Sequence, residues 1–175
     1  MKPAQAENRV MDALFELGCA VRERRQDMGI TQATLARLSG LSRTTVNQLE
    51  NATAKELGIS RAQRVMGALG LSVVITGARA SARFATPALL KAARAASVSY
   101  REVMDAHTLA ESLSGGAVPA RFMPHVRSLL EEASVALLAE VVEDLHARRG
   151  TPRADVWRRM RQLAQEFMVS REIWS

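Results

Sequence analysis

Residues 31–51, TQATLARLSGLSRTTVNQLEN, hold the densest run of side chains able to recognise another molecule. If a helix starts at Ser42, then Arg43, Thr44, Asn47 and Gln48 share one of its faces, while Val46 and Leu49 lie on the other and anchor it. Guanidinium and carboxamide groups make paired hydrogen bonds to base edges in the major groove of DNA, and hydroxyls reach bases or phosphates. The chemistry expected of this run is therefore binding to DNA. Thr45 reads almost equally as a surface residue and as a phosphate contact. Arg22 and Arg24 read as a solvated face. The rest of the chain offers little other chemistry. Lys91 and Ser97 do not amount to a catalytic pair. His107, His125 and His146 are widely spaced and have no cysteines or carboxylates at ligand spacing. Glu131-Glu132 and Glu143-Asp144 read as solvated faces, and no glycine-rich phosphate loop occurs. The expectation is no catalysis, no metal and no cofactor.

Several elements must position that face. Residues 9–28 place Val10, Leu14, Leu17 and Val21 at helical spacing, and Gly29 ends that helix. Thr31 is a good N-cap for a short helix with Leu35 and Leu38 turned inward. Ala36 sits where two helices approach closely, and Gly40 permits the turn between them. Ser42 caps the next helix, residues 43–50. Two short helices joined by a three- or four-residue turn form a helix-turn-helix. After a loop, ATAKELGI, Ser60 is expected to cap a fourth helix that Gly70 stops. Residues 71–76, LSVVIT, are β-branched and bounded by glycines, which predicts a strand. A lone strand forms no sheet, so its partner is expected to be the same strand of a second subunit. The alternative is an extended linker.

The motif resembles the lambda repressor-like (Cro/CI, XRE) helix-turn-helix family over roughly residues 10–70. Gln32, Leu35-Ala36, Gly40, Val46, Leu49, Glu50 and Asn51 stand where that pattern requires them. The resemblance implies that Gln32 and Asn51 contact phosphate and that Arg43, Thr44 and Gln48 read bases, with Asn47 at a variable position beside them. It also implies an ion pair between Arg25 and Glu50. The expected DNA-binding set is Gln32, Ser42, Arg43, Thr44, Thr45, Asn47, Gln48, Asn51 and Lys55. The chain departs from the pattern at Ala52, where many members have glycine, and this puts the following loop and Lys55 in doubt. The strand after the fourth helix resembles the layout of HipB-type antitoxins. That layout implies a homodimer on a palindrome with half-sites about one helical turn apart.

The predicted fold class is mainly α. It comprises a five-helix-type lambda repressor-like domain with one short strand (1–77), a linker (78–86) and an all-α C-terminal region (87–175). In that region helices are expected over 87–97, 99–113, 120–131, 133–148 and 152–169, the last capped by Thr151 before Pro152. Leu129, Leu130, Val135, Leu137, Leu138, Val141, Val142 and Leu145 read as its core or as a dimer face. The chain has 175 residues, 47% hydrophobic and 4% aromatic, so a core of Leu, Val, Ala and Met on packed helices is expected. Of 24 basic residues 21 are arginine, and the net charge is +6. Residues 1–80 carry 11 basic and 7 acidic side chains, net +4, against 13 and 11, net +2, in residues 81–175. The excess leans towards the N-terminal part, as expected if that part meets DNA. Cys19 is the only cysteine, the N-terminus has no apolar run like that of a signal peptide, and no stretch is apolar enough to span a membrane. A cytoplasmic location is expected. The leading expectation is an autoregulating repressor. The alternatives are an antitoxin whose C-terminal region binds a toxin protein, and an effector sensor.

Overall fold

The structure is a computed structural model that describes residues 3–54, 56–72 and 87–174, with side chains from residue 13 onward. The chain separates into two compact units, Met1–Leu69 and Gly70–Ser175. The first unit holds α1 (Pro3–Asp27), α2 (Gln32–Ser39), α3 (Arg43–Glu50) and α4 (Ile59–Ala68). Helices α1 and α4 flank the pair α2–α3: α1 lies on α3, and α4 on α2. Val21, Met28, Ile30, Leu35, Ala36, Val46, Leu49, Val65, Met66 and Leu69 form the core. Small and medium side chains suffice because short helices crossing closely leave little volume to fill.

Local signals set α2 and α3. The Thr31 hydroxyl accepts the Thr34 N–H at 3.1 Å, and the Ser42 hydroxyl accepts the Thr45 N–H at 3.0 Å. Each satisfies an N–H that the first turn of a helix leaves unpaired. Gly40 ends α2 at φ 63°, in the left-handed region open to glycine. Gly18 serves another purpose. A Cβ there would stand 2.2 Å from the Leu49 carbonyl oxygen, so the missing side chain is what lets α1 close onto the end of α3.

Two expectations need correction in this unit, and a third falls beyond it. The described residues of the unit carry four helices rather than five. The next helix in the chain, α5 (Ala88–Ser97), has its Leu89, Ala92, Ala93 and Ala96 face buried within the second unit. Ser60 is not the cap of α4: the helix starts two residues earlier than expected, at Ile59, with Gly58 as an N-cap that has no side chain to offer. Of the strand expected at 71–76, residues 71 and 72 have no regular structure, and 73–76 lie outside the described residues, as does the linker 78–86.

The second unit continues from α5 with α6 (Ala106–Leu113), the 3-10 turn η1 (Ala120–Phe122), α7 (Met123–Glu132), α8 (Val135–Arg149), α9 (Arg153–Glu166) and the 3-10 turn η2 (Glu172–Trp174). Helix α5 contacts α6, α7 and α8, and α9 contacts the same three. Leu129, Leu130, Leu138, Val141, Val142 and Leu145 are buried in this core, whereas Val135 and Leu137 are half-buried. Trp157 is fully buried, with the Trp174 ring 6.2 Å away. The end of α7 is closed by the chain terminus: Trp174 Nε1 donates to the Leu130 carbonyl at 3.0 Å and Arg171 Nη1 to that of Ala133 at 2.7 Å. Asp144 of α8 caps α5 from a distance, accepting the Leu89 N–H at 3.2 Å.

Two expected boundaries fail here. The helix expected over 99–113 starts only at Ala106, because the Asp105 carboxylate accepts the N–H groups of His107 and Thr108, each at 2.9 Å. The preceding loop is held instead by Met104 N–H donating to the Ser97 hydroxyl at 3.0 Å. Thr151 does not cap α9: Pro152 takes the N-cap position, and the Thr151 carbonyl faces His146 Nδ1 at 3.0 Å.

Candidate nucleic-acid interface

The candidate interface is the outer face of α3. Val46 and Leu49 are fully buried, which fixes the helix on the core of its unit. Arg43, Thr44, Asn47 and Gln48 are exposed. They occupy positions one, two, five and six of an eight-residue helix, a single stripe on the side away from Val46 and Leu49. An arginine and two carboxamides on one exposed stripe can approach the base edges of a duplex, where a guanidinium pairs with guanine and a carboxamide with adenine.

The other expected residues sit around this stripe. Ser42 and Thr45 form the cap of α3, with their hydroxyls 2.8 Å apart. Both hydroxyls are thus partly committed to holding the helix start. Asn51 is exposed immediately after α3, and its own N–H donates to the Asn47 carbonyl at 3.0 Å. Gln32 opens α2 but lies against the end of α3, where its Nε2 donates to Glu50 Oε2 at 2.9 Å. Lys55 lies outside the described residues.

Beneath the stripe lies an ion pair. Arg25 of α1 meets Glu50 with two parallel hydrogen bonds, Nε to Oε1 at 2.6 Å and Nη2 to Oε2 at 2.9 Å, and its Nη1 donates to the Ile30 carbonyl at 3.0 Å. The Glu50 side chain is only 2% exposed. Burial is the largest single influence on its carboxyl and would raise the pKa. The hydrogen bonds from Arg25 and Gln32, with the charges of Arg25 and Arg22, together outweigh it and hold the group below its ordinary value. Glu50 is therefore ionised, paired and structural at neutral pH.

Sequence reasoning marked one further feature only as a departure and missed another. Ala52 has φ 54°, so the turn after α3 takes the left-handed form with an alanine where many members of the resembled family have glycine. The Thr53 and Ala54 N–H groups both return to the Gln48 carbonyl, at 2.9 and 3.2 Å, which holds this turn. Arg64 of α4 donates to the Gly40 carbonyl at 3.3 Å and braces the turn between α2 and α3. The family pattern marked Ala52 but not the form of its turn. Nothing local in the sequence marks Arg64 over Arg61, which is also exposed on α4.

Ser97 and Lys91 each make a contact within the second unit. Ser97 Oγ donates to the Ala93 carbonyl at 2.7 Å, and Lys91 pairs with Glu140 at 3.0 Å. Among the described residues no group of three His, Cys, Asp or Glu side chains is arranged to hold a metal ion, and no described helix is long and apolar enough to cross a membrane. Residues 21–75 match a helix-turn-helix family model. No curated protein and no solved structure matches the chain. The matched segment covers α2, α3 and α4 and the end of α1, and it supports a DNA-binding regulator of the XRE, lambda repressor-like type.

Proposed function

We propose that the chain is a sequence-specific transcriptional regulator that represses its own promoter as a dimer on a palindromic operator. The observation that carries this reading is the exposed Arg43–Thr44–Asn47–Gln48 stripe on a helix whose other face is fully buried. The test is gel-shift binding to the chain's own upstream DNA at two salt concentrations against a scrambled competitor. Tight, competitor-resistant binding supports the reading, and no preference over scrambled DNA contradicts autoregulation.

The dimer rests on the sequence of residues 71–76 and on the two-fold symmetry of palindromic operators. Val74→Pro removes an N–H from the proposed strand pair, and sedimentation of the variant should then report monomer. A dimer as tight as the parent's would place the interface elsewhere.

A second reading is an antitoxin-type role, in which the C-terminal unit holds a partner protein. It is favoured by three exposed apolar side chains, Val98, Val103 and Met123. They are near Tyr100 and His125 in the sequence, whose rings stack, and Tyr100 Oη donates to the Pro124 carbonyl at 3.0 Å, which brings the two segments together. Stable co-purification with the product of an adjacent gene would support this role. No reaction is part of either reading.

A further inference from the structure

We propose that Glu50 is a positioning residue for DNA: it fixes the orientation of the Gln32 carboxamide so that the second Nε2 N–H turns outward as a phosphate donor. The inference deepens the DNA-binding function proposed above and rests on it.

An ionised carboxylate accepts hydrogen bonds and has none to donate. Gln32 lies beside Glu50 Oε2 at 2.9 Å, so the amide atom facing it is Nε2. The flipped amide would press its carbonyl oxygen against Oε2, two acceptors with no proton between them. One of the two N–H groups on Nε2 is therefore committed to Glu50, and the other remains for a further acceptor. Gln32 is half-buried at the first position of α2, and an acceptor can reach it from solvent.

A buried acid beside an anion-binding donor needs its charge cancelled. Arg25 does this with its paired hydrogen bonds to both oxygens of Glu50. Arg25 is in turn oriented by the Ile30 carbonyl, in the connection that leads into α2. The chain of contacts runs from α1 through the end of α3 to the first residue of α2. A glutamine on a bare surface samples both amide orientations and several rotamers. One held in advance loses less freedom when it meets phosphate. The proposed role of Glu50 is to supply that order, with no contact of its own to DNA.

The test uses a duplex that the wild-type protein selects from a randomised pool. Methylphosphonates replace its phosphates one at a time. One position should weaken wild-type binding about tenfold or more, as expected for a hydrogen bond to a charged group, and leave Gln32→Ala unaffected. Glu50→Gln, nearly isosteric, keeps an oxygen for Arg25 but no longer dictates the orientation of Gln32. It should lose sensitivity at that one phosphate and keep it at the others. Wild-type sensitivity at that position in Glu50→Gln overturns the proposal. Should this variant not fold, the free wild-type protein decides. The Gln32 side-chain amide signals in a nitrogen–proton correlation spectrum should move as the Glu50 carboxyl titrates in acid, and signals that ignore that titration overturn the proposal. If wild-type protein selects no duplex, the DNA-binding function falls and the positioning role with it. If it selects one and no phosphate responds to Gln32→Ala, the positioning role alone falls.

Discussion

Arg43 stands exposed in the first turn of α3, between Ser42 and the Thr45 N–H that the Ser42 hydroxyl caps. A guanidinium there discriminates guanine when the helix lies in a major groove. Arg43→Ala should therefore relax base preference and weaken binding by about 1–3 kcal/mol, as measured by selection from randomised duplexes. An unchanged preference removes Arg43 from the readers. Ala52 makes a different point about single residues. Its left-handed backbone, φ 54°, costs a residue with a Cβ about 1–2 kcal/mol. Glycine escapes that cost and returns part of it as freedom in the unfolded chain. Ala52→Gly should raise stability by about 0.5–1 kcal/mol in urea unfolding, and lower stability would mean that the turn is not strained. The family resemblance marked this position as a departure. The sequence could not say which form the backbone takes at this alanine, and the left-handed form is observed.

At the scale of elements, the helix-turn-helix was legible because its determinants are local. Thr31 and Ser42 cap, Gly40 turns, and Val46 and Leu49 anchor, each within a few residues of the feature it sets. The Arg25–Glu50 pair was legible only through the family pattern, since 25 residues separate the partners. Gly18 was not legible at all, because a mid-helix glycine is a local flaw whose reason lies on another helix. Gly18→Ala gains helix propensity, about 1 kcal/mol, but places a Cβ 2.2 Å from the Leu49 carbonyl oxygen. The clash should win and destabilise the protein by about 1–3 kcal/mol in thermal or urea unfolding. A gain in stability would mean that α1 and α3 are not this close.

The ion pair gives the first unit an acid limit. The pKa of Glu50 is depressed on folding, so its contribution is fully present above the carboxyl's unfolded pKa and is lost as pH falls through the lower folded value. Stability measured from pH 7 downward should fall in that acid window. Glu50→Gln should flatten the fall, and an unchanged profile would show that the pair does not control it. Asp105 works in the same direction in the second unit. The Thr108 hydroxyl and backbone N–H, then the His107 N–H, hold its carboxylate below the ordinary value against a small opposing effect of burial.

At the scale of the whole molecule, the two units differ in how far a sequence can be read. The first is written in short-range caps and turns. The second is an assembly of helices whose ends are satisfied from afar: Asp144 of α8 caps α5, and Arg171 and Trp174 close α7. Those partners lie 55, 38 and 44 residues away. Hydrophobic periodicity found the second unit's helices, but it misplaced the start of α6 by seven residues, because the Asp105 cap looked like one more polar residue on a continuous helix. Phosphate contacts by basic side chains displace counterions, so DNA affinity should fall steeply with salt.

The central claim is that the outer face of α3 reads base sequence, and it is tested most directly by selecting duplexes from a randomised pool with wild-type protein and with an Arg43→Ala, Gln48→Ala double variant. The account predicts that wild-type protein enriches a two-fold symmetric sequence, and that the double variant stays folded but enriches it weakly or not at all. Enrichment of the same sequence to the same degree by both proteins would contradict it.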